Sequence, residues 1–338
     1  MKSGVKKFDY CASCTFYLGA IAVTLVCQAL ISFVAVALAS PYPDISTNGD
    51  FLTAFMIFIQ AANAAFILLF CKVNKTRFDC RLAKNTDNKL DYRDFILPVV
   101  AAIVLLFAMY LPTLWYGLFT QYVLHISPTA GSIDLSTTSS VVMIVIASVF
   151  MAPVFEESIY RGVLTNGLKK NGGAVKAVML SALAFMLMHM SPIQVVFQFS
   201  LGVLSAFVMN KTNRLLPCVL LHATANAAAL AIQFDPLASV VNGAVAWLVS
   251  SPVAALFITL ALLAAGGALL FVIVRFGFGN NAQDAVISDE GETDGKKLTP
   301  ENIALADARD KDGKTRFIIA TAISGVMFVI NLITMVIG

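Results

Sequence analysis

The sequence predicts an all-α fold, a polytopic transmembrane helix bundle of eight to nine spanning helices. Three observations predict it. Hydrophobic residues make up 59% of the chain and charged residues 13%, against about 45–50% and 25% in a soluble domain, which is more apolar surface than a soluble core can use. Apolar stretches recur at 16–39, 51–71, 95–118, 141–154, 174–190, 193–210, 215–234, 252–274 and 317–337, most of them close to the roughly 20 residues a spanning helix needs. The basic residues fall on one side of the alternation that these stretches define.

Taken in order, the first stretch has a basic start and an Ala37-Leu38-Ala39 triplet that mimics a signal-peptidase site. Its apolar run is longer than the 7–15 residues typical of a cleaved signal, so it reads as a retained helix. The first three stretches carry no charged residue inside the membrane and read as packing or substrate guidance. The fourth continues past Glu156 towards Leu168, which predicts one long helix kinked near Pro153, where a backbone hydrogen bond is missing. Four more apolar stretches follow it. Residues 277–314 then change character, with Asn280-Asn281, Asp289-Glu290 and Asp294-Gly295 marking a solvated linker. Within it, Thr299-Pro300-Glu301 reads as an N-cap followed by Pro at the first helical position, predicting a short helix to about Arg309 before the last span. The chain thus divides into helices 1–3 with a basic loop (1–138), a helical core (139–275), a polar linker (276–316) and a C-terminal helix (317–338).

With the N-terminus in the cytoplasm and nine spans, all 23 Lys and Arg residues lie on the cytoplasmic side, as the positive-inside rule requires. The expected location is an integral protein of the plasma membrane. The net charge of +3 then forms an inner basic skirt facing anionic lipid headgroups. No nucleic-acid motif accompanies it, so nucleic acid is excluded as a partner. Of the six cysteines, Cys27, Cys71 and Cys218 sit in or at the edge of spans as packing residues. Cys11 and Cys14 form a single CxxC without a second ligand pair and read as reduced, inert thiols.

The charges inside the spans are concentrated in one place. A charged side chain near the middle of a spanning helix costs about 2.5–3.5 kcal/mol on insertion scales, so the adjacent Glu156 and Glu157 need a reason. Glu157 and Arg161 are four residues apart and share a helix face, where they can pair. Glu156 points about a third of a turn away, has no local cation, and is the candidate for reactive chemistry. His189 lies four residues after Phe185, and His222 four before Asn226, each on a span; His125 falls in an outer loop. Two imidazoles and a carboxylate can hold Zn²⁺, with the third protein ligand unassigned. Equally, Glu156 and one histidine can activate water without metal while the other histidine and Asn226 stabilise an oxyanion. By helix rise, His222 lies roughly 10 Å from the inner start of its helix and His189 about 22 Å from that of its own, with Glu156 near the cytoplasmic end of a third.

These segments resemble the family of CAAX prenyl proteases and bacteriocin-processing enzymes, the abortive-infection-like membrane proteins. The family pattern EExxxR, FxxxH, HxxxN stands here, in order, as Glu156-Glu157-Ser158-Ile159-Tyr160-Arg161, Phe185 to His189, and His222 to Asn226. The resemblance implies an intramembrane cavity holding the site of an endopeptidase that cuts a peptide or lipidated protein tail. It implies that Glu156 activates water with His189, that His222 and Asn226 form an oxyanion site, and that Glu157 and Arg161 support the geometry. The family is labelled metalloprotease, which would make His189 and His222 zinc ligands; the motifs fit a metal-independent glutamate mechanism as well. The competing reading is a non-catalytic membrane immunity or scaffold protein. A transporter would be expected to show internal symmetry and broken half-helices, and the sequence shows neither.

Overall fold

The computed structural model describes residues 6–45, 48–78, 92–126, 135, 137–234, 237–278 and 300–337. They form an all-α polytopic bundle of ten helices. These are α1 (Tyr10–Leu38), α2 (Gly49–Asn74), α3 (Arg93–Tyr122), α4 (Thr138–Gly172), α5 (Ala174–Met188), α6 (Val195–Thr212), α7 (Leu215–Ala231), α8 (Leu237–Ser250), α9 (Pro252–Gly277) and α10 (Pro300–Ile337). A two-residue parallel ladder joins β1 (Lys6–Lys7) to β2 (Thr76–Arg77).

Seven of these helices are long and apolar enough to cross a membrane; α5, α7 and α8 are shorter. Two of the expected nine, α5 and α7, are thus shorter than the rest. At 15 and 17 residues, α5 and α7 reach only about 22–26 Å at 1.5 Å per residue, short of a 30 Å hydrocarbon core. Gly173, at φ 77°, and Met190, at φ 50°, bound α5 with left-handed turns, and these two short helices are the ones that carry the histidines. The apolar helix α8 had no counterpart among the expected spans. It packs Trp247 and Leu248 against Leu111, Leu114 and Trp115 near the C-terminal end of α3 and is otherwise largely exposed.

Two helices differ from expectation in their interior. In α4 the single kink at Pro153 is replaced by two π-helical stretches, Val145–Met151 and Ser158–Thr165, which bracket the α-helical Ala152–Glu157. The wider turns before Pro153 accommodate its missing donor, and such π insertions cluster at functional sites. In α10 the chain does not stop near Arg309. It starts at Pro300, as the N-cap signal indicates, and continues without a break to Ile337, so the boundary between linker and last helix falls inside one helix. Residues 279–299 lie outside the described residues.

Among the described residues, several segments the sequence assigned to the cytoplasm meet at one end of the bundle. Lys6–Lys7 pairs with Thr76–Arg77, Lys170 Nζ donates to the Phe8 carbonyl at 2.7 Å, Asn171 to Asp310 at 3.1 Å, and Arg309 to Asp9 at 2.6 Å. At that end Asp94, opening α3, and Arg214, preceding α7, form an ion pair buried between the helices. At the opposite end Ser140 donates to Asp50 at 2.5 Å, tying the start of α4 to the start of α2.

Candidate active site

Glu156 and Glu157 end the α-helical stretch of α4, and adjacent positions on a helix diverge by about 100°. Glu157 turns towards α6 and α7. There its carboxylate is fully enclosed, accepts from the Ser205 hydroxyl at 2.6 Å and from His222 Nδ1 at 3.0 Å, and forms an ion pair with the Arg161 guanidinium at 3.1 Å. A buried charge is tolerated only with a partner and with its lone pairs used; the guanidinium supplies the first and the two hydrogen bonds the second. Arg161 is equally enclosed. Its Nη2 donates to the Gly202 carbonyl at 3.1 Å, and its guanidinium lies 4.3 Å from the centre of the Phe185 ring, a cation–π arrangement. Gly202 favours this: a Cβ there would stand 3.0 Å from the Cα of Ala182, so a larger residue would push α6 and α5 apart by a few tenths of an ångström.

Glu156 turns the other way, towards α2 and α5. Its Oε1 accepts from Gln60 Nε2 at 3.0 Å. Its Oε2 is buried without a hydrogen-bond partner and faces His189 Nε2 at 3.9 Å. That separation is too long for a direct hydrogen bond and short enough for one water molecule to contact both groups. The His189 ring is fixed from behind, its Nδ1 lying 2.9 Å from the Phe185 carbonyl. A carbonyl can only accept, so Nδ1 carries the proton and Nε2 of the neutral ring offers a lone pair. The turn that follows is pinned by two other helices: Asn331 of α10 donates to the Met190 carbonyl at 2.9 Å, and Tyr116 of α3 to the Pro192 carbonyl at 2.6 Å.

Five of the six sequence-derived residues thus gather into two neighbouring sets, Glu156 with His189 and Glu157 with Arg161 and His222. Asn226 is anchored beside them through Nδ2 to the Ser148 carbonyl of α4 at 2.7 Å. The Phe185 ring stands between the sets, edge-on to His189 at 4.7 Å and to His222 at 5.6 Å between centroids. The depth mismatch inferred for His189 disappears because α4 and α5 form a hairpin about Gly173 with equal arms: Glu156 precedes Gly172 by 16 residues, and His189 follows Gly173 by 16. Glu156 is therefore mid-helix and not near an end. His222 meets it only seven residues into α7 because α7 begins inside the bundle, after the buried Arg214.

The sequence reading left Gln60, Ser205 and Gly202 out. Gln60 carried a signal: it and Asn63 are amides one turn apart in the middle of an apolar helix, and both are buried, a costly choice in a membrane. Ser205 carried none. Among the described residues no group of three or more His, Cys, Asp or Glu side chains is placed to hold a metal ion. His189 Nε2 and Glu156 Oε2 face one another, and His222, whose Nδ1 is turned to the Glu157 carboxylate, keeps its Nε2 for a further ligand, the arrangement of an imidazole backed by a carboxylate.

Residues 138–228 match the family model of the type II CAAX prenyl endopeptidases, Rce1-like. Over this region the chain is similar to the Rce1-like family. The match covers α4 to most of α7 and leaves Gln60 of α2 outside it, so the helix that supplies the hydrogen bond to Glu156 lies beyond the Rce1-like core. No curated protein and no solved structure matches the chain.

Proposed function

We propose that this Rce1-like protein is an intramembrane endopeptidase in which Glu156 activates the water that attacks the scissile carbonyl of a peptide or prenylated protein tail. The observation that supports this most directly is the buried, unpartnered Oε2 of Glu156 opposite His189 Nε2 at 3.9 Å. Both are acceptors, so a water between them donates both hydrogens and keeps an oxygen lone pair for the carbonyl carbon. As the C–O bond forms, the water proton passes to Glu156. The tetrahedral intermediate then collapses, the C–N bond breaks, and Glu156 returns the proton to the leaving amine. His189 holds the water and is kept in the right tautomer by the Phe185 carbonyl.

His222 and Asn226 are proposed to receive the oxyanion. Glu157 accepts from His222 Nδ1, so Nε2 can donate to the developing negative charge when the ring carries both protons. The second N–H of the Asn226 amide is available beside it. Glu157 and Arg161 are positioning residues: buried and mutually paired, they fix where His222 stands. No step is routed through a metal. The site is proposed to open towards the cytoplasm, at the end where the basic segments meet. The test is cleavage of a peptide ending in a prenylated Cys-aliphatic-aliphatic-X tail by purified protein. Glu156→Gln preserves size and removes the base, so turnover should fall at least a hundredfold while the melting temperature is kept. A folded Glu156→Gln protein that cleaves at the unaltered rate overturns the assignment.

A further inference from the structure

On the face of α6 turned away from the ion pair, a cavity of ≈ 670 Å³ opens between α3, α6 and α9. Its size is that of a ligand site, within the roughly 300–1,000 Å³ typical of such pockets. Phe199, Val203 and Phe207 of α6 line one wall, with Leu270 and Phe271 of α9 opposite. Gly202 and Ser205, which serve Arg161 and Glu157, project from the other side of the same helix, so the cavity is separate from the candidate active site.

Its polarity is graded along its length. Lys211, in the last turn of α6, and Arg275, in the π-helical end of α9, both line it at the same end, beside Asn210. No acidic side chain lines the cavity. Other cations at that end of the bundle are engaged: Arg214 with Asp94, Arg309 with Asp9 and Arg316 with Asp312. Among the described residues, neither Lys211 nor Arg275 belongs to an ion pair; the Arg275 guanidinium sits 5.3 Å from the ring of Phe276. An apolar trough ending in two uncompensated cations complements one class of molecule, an amphiphile with an anionic head.

We propose that this cavity is a binding site for an anionic phospholipid, one acyl chain lying along α6 and α9 and the phosphate held between Lys211 and Arg275. A polar metabolite has no partners along the trough, and a zwitterionic lipid gains little from the two cations. Basic pockets between membrane helices recognise acidic lipid headgroups by this arrangement. Gly267 gives the site a second handle, since a Cβ placed there meets nothing within 4 Å and a larger side chain would project into the trough.

The test is lipid retention by the full-length protein in neutral detergent, read by native mass spectrometry with phosphatidylglycerol and phosphatidylcholine supplied in equal amounts. Phosphatidylglycerol should be retained in preference, and Lys211→Gln with Arg275→Gln should weaken it about thirtyfold, roughly a factor of five for each cation beside a charged headgroup. Gly267→Leu, with the cations intact, should lower retention by filling the trough. The proposal is overturned by equal retention of the two lipids, by a preference that survives the double substitution, or by inorganic phosphate alone displacing the lipid. It is also overturned if a farnesylated peptide displaces phosphatidylglycerol at equal concentration, which would make the occupant an isoprenoid tail.

Discussion

Gln60→Leu removes the one side chain that donates to the Oε1 of Glu156 while keeping a similar shape in a buried, apolar surrounding. The bond it deletes is 3.0 Å long, buried, and runs to a carboxylate, and hydrogen bonds to charged groups contribute about 1.5–3 kcal/mol. If that bond holds Oε2 towards His189, its loss falls on the chemical step. At 1.36 kcal/mol per factor of ten, kcat should drop about 10- to 150-fold. The loss should appear in kcat far more than in KM, because Gln60 orients the base and does not bind the tail. Gln60→Asn is the finer probe: one methylene shorter, it keeps the amide but withdraws it from a contact already 3.0 Å long, so it should resemble Gln60→Leu. The assay is cleavage of the prenylated peptide under single-turnover conditions, with thermal unfolding in detergent recorded for every variant. A Gln60→Leu protein with wild-type kcat would show that Glu156 is oriented without α2. One that loses activity only together with its melting transition would show that Gln60 is a packing residue.

Two further outcomes test the scaffold that supports the site. Arg161→Met leaves the enclosed Glu157 without its guanidinium and should destabilise the protein by about 3–5 kcal/mol, while Glu157→Gln combined with Arg161→Met, which leaves no lone charge, should recover part of that loss in thermal unfolding; equal melting temperatures for the single and double variants would contradict the pairing. A Cβ on Gly167 would stand 2.2 Å from the Cβ of Ser13, so Gly167→Ala should cost about 1–3 kcal/mol through overpacking of α4 on α1, and adding Ser13→Gly should restore most of it, less the 0.5–1 kcal/mol of a helical glycine.

What could be read from the sequence follows the range of each interaction. Glu157 and Arg161 are four residues apart on one helix, and their pairing needed no tertiary information. The number of full-length spans did need it, because α5 and α7 are apolar throughout yet stop short, and only their enclosure shows why: they line the interior. Asp94 and Arg214 lie just outside the apolar stretches and yet form a buried pair, a contact between distant segments that no local pattern marks. Gln60 is the hardest case. An uncharged amide in an apolar run marks a polar contact, but not which of the neighbouring helices receives it, since that depends on the register of α2 against α4.

The twin glutamates show how a local spacing can still divide roles across a fold. Two successive residues on α4 must point about 100° apart, so placing two acids side by side sends one carboxylate to each flank of the helix. On the flank shared with α6 and α7, Glu157 finds Arg161, His222 and Ser205, and the cost of enclosing it is offset by one ion pair and two hydrogen bonds. On the flank shared with α2 and α5, Glu156 finds a single amide donor and leaves one oxygen unpartnered opposite His189. Exchanging the two environments would take more than exchanging side chains, because both positions already hold glutamate; the difference lies wholly in what the neighbouring helices present. The substitution that should fall on the chemistry is therefore Glu156→Gln, the one that should fall on stability is Arg161→Met, and the residue that links the two sets is Phe185, whose carbonyl holds His189 while its ring carries Arg161.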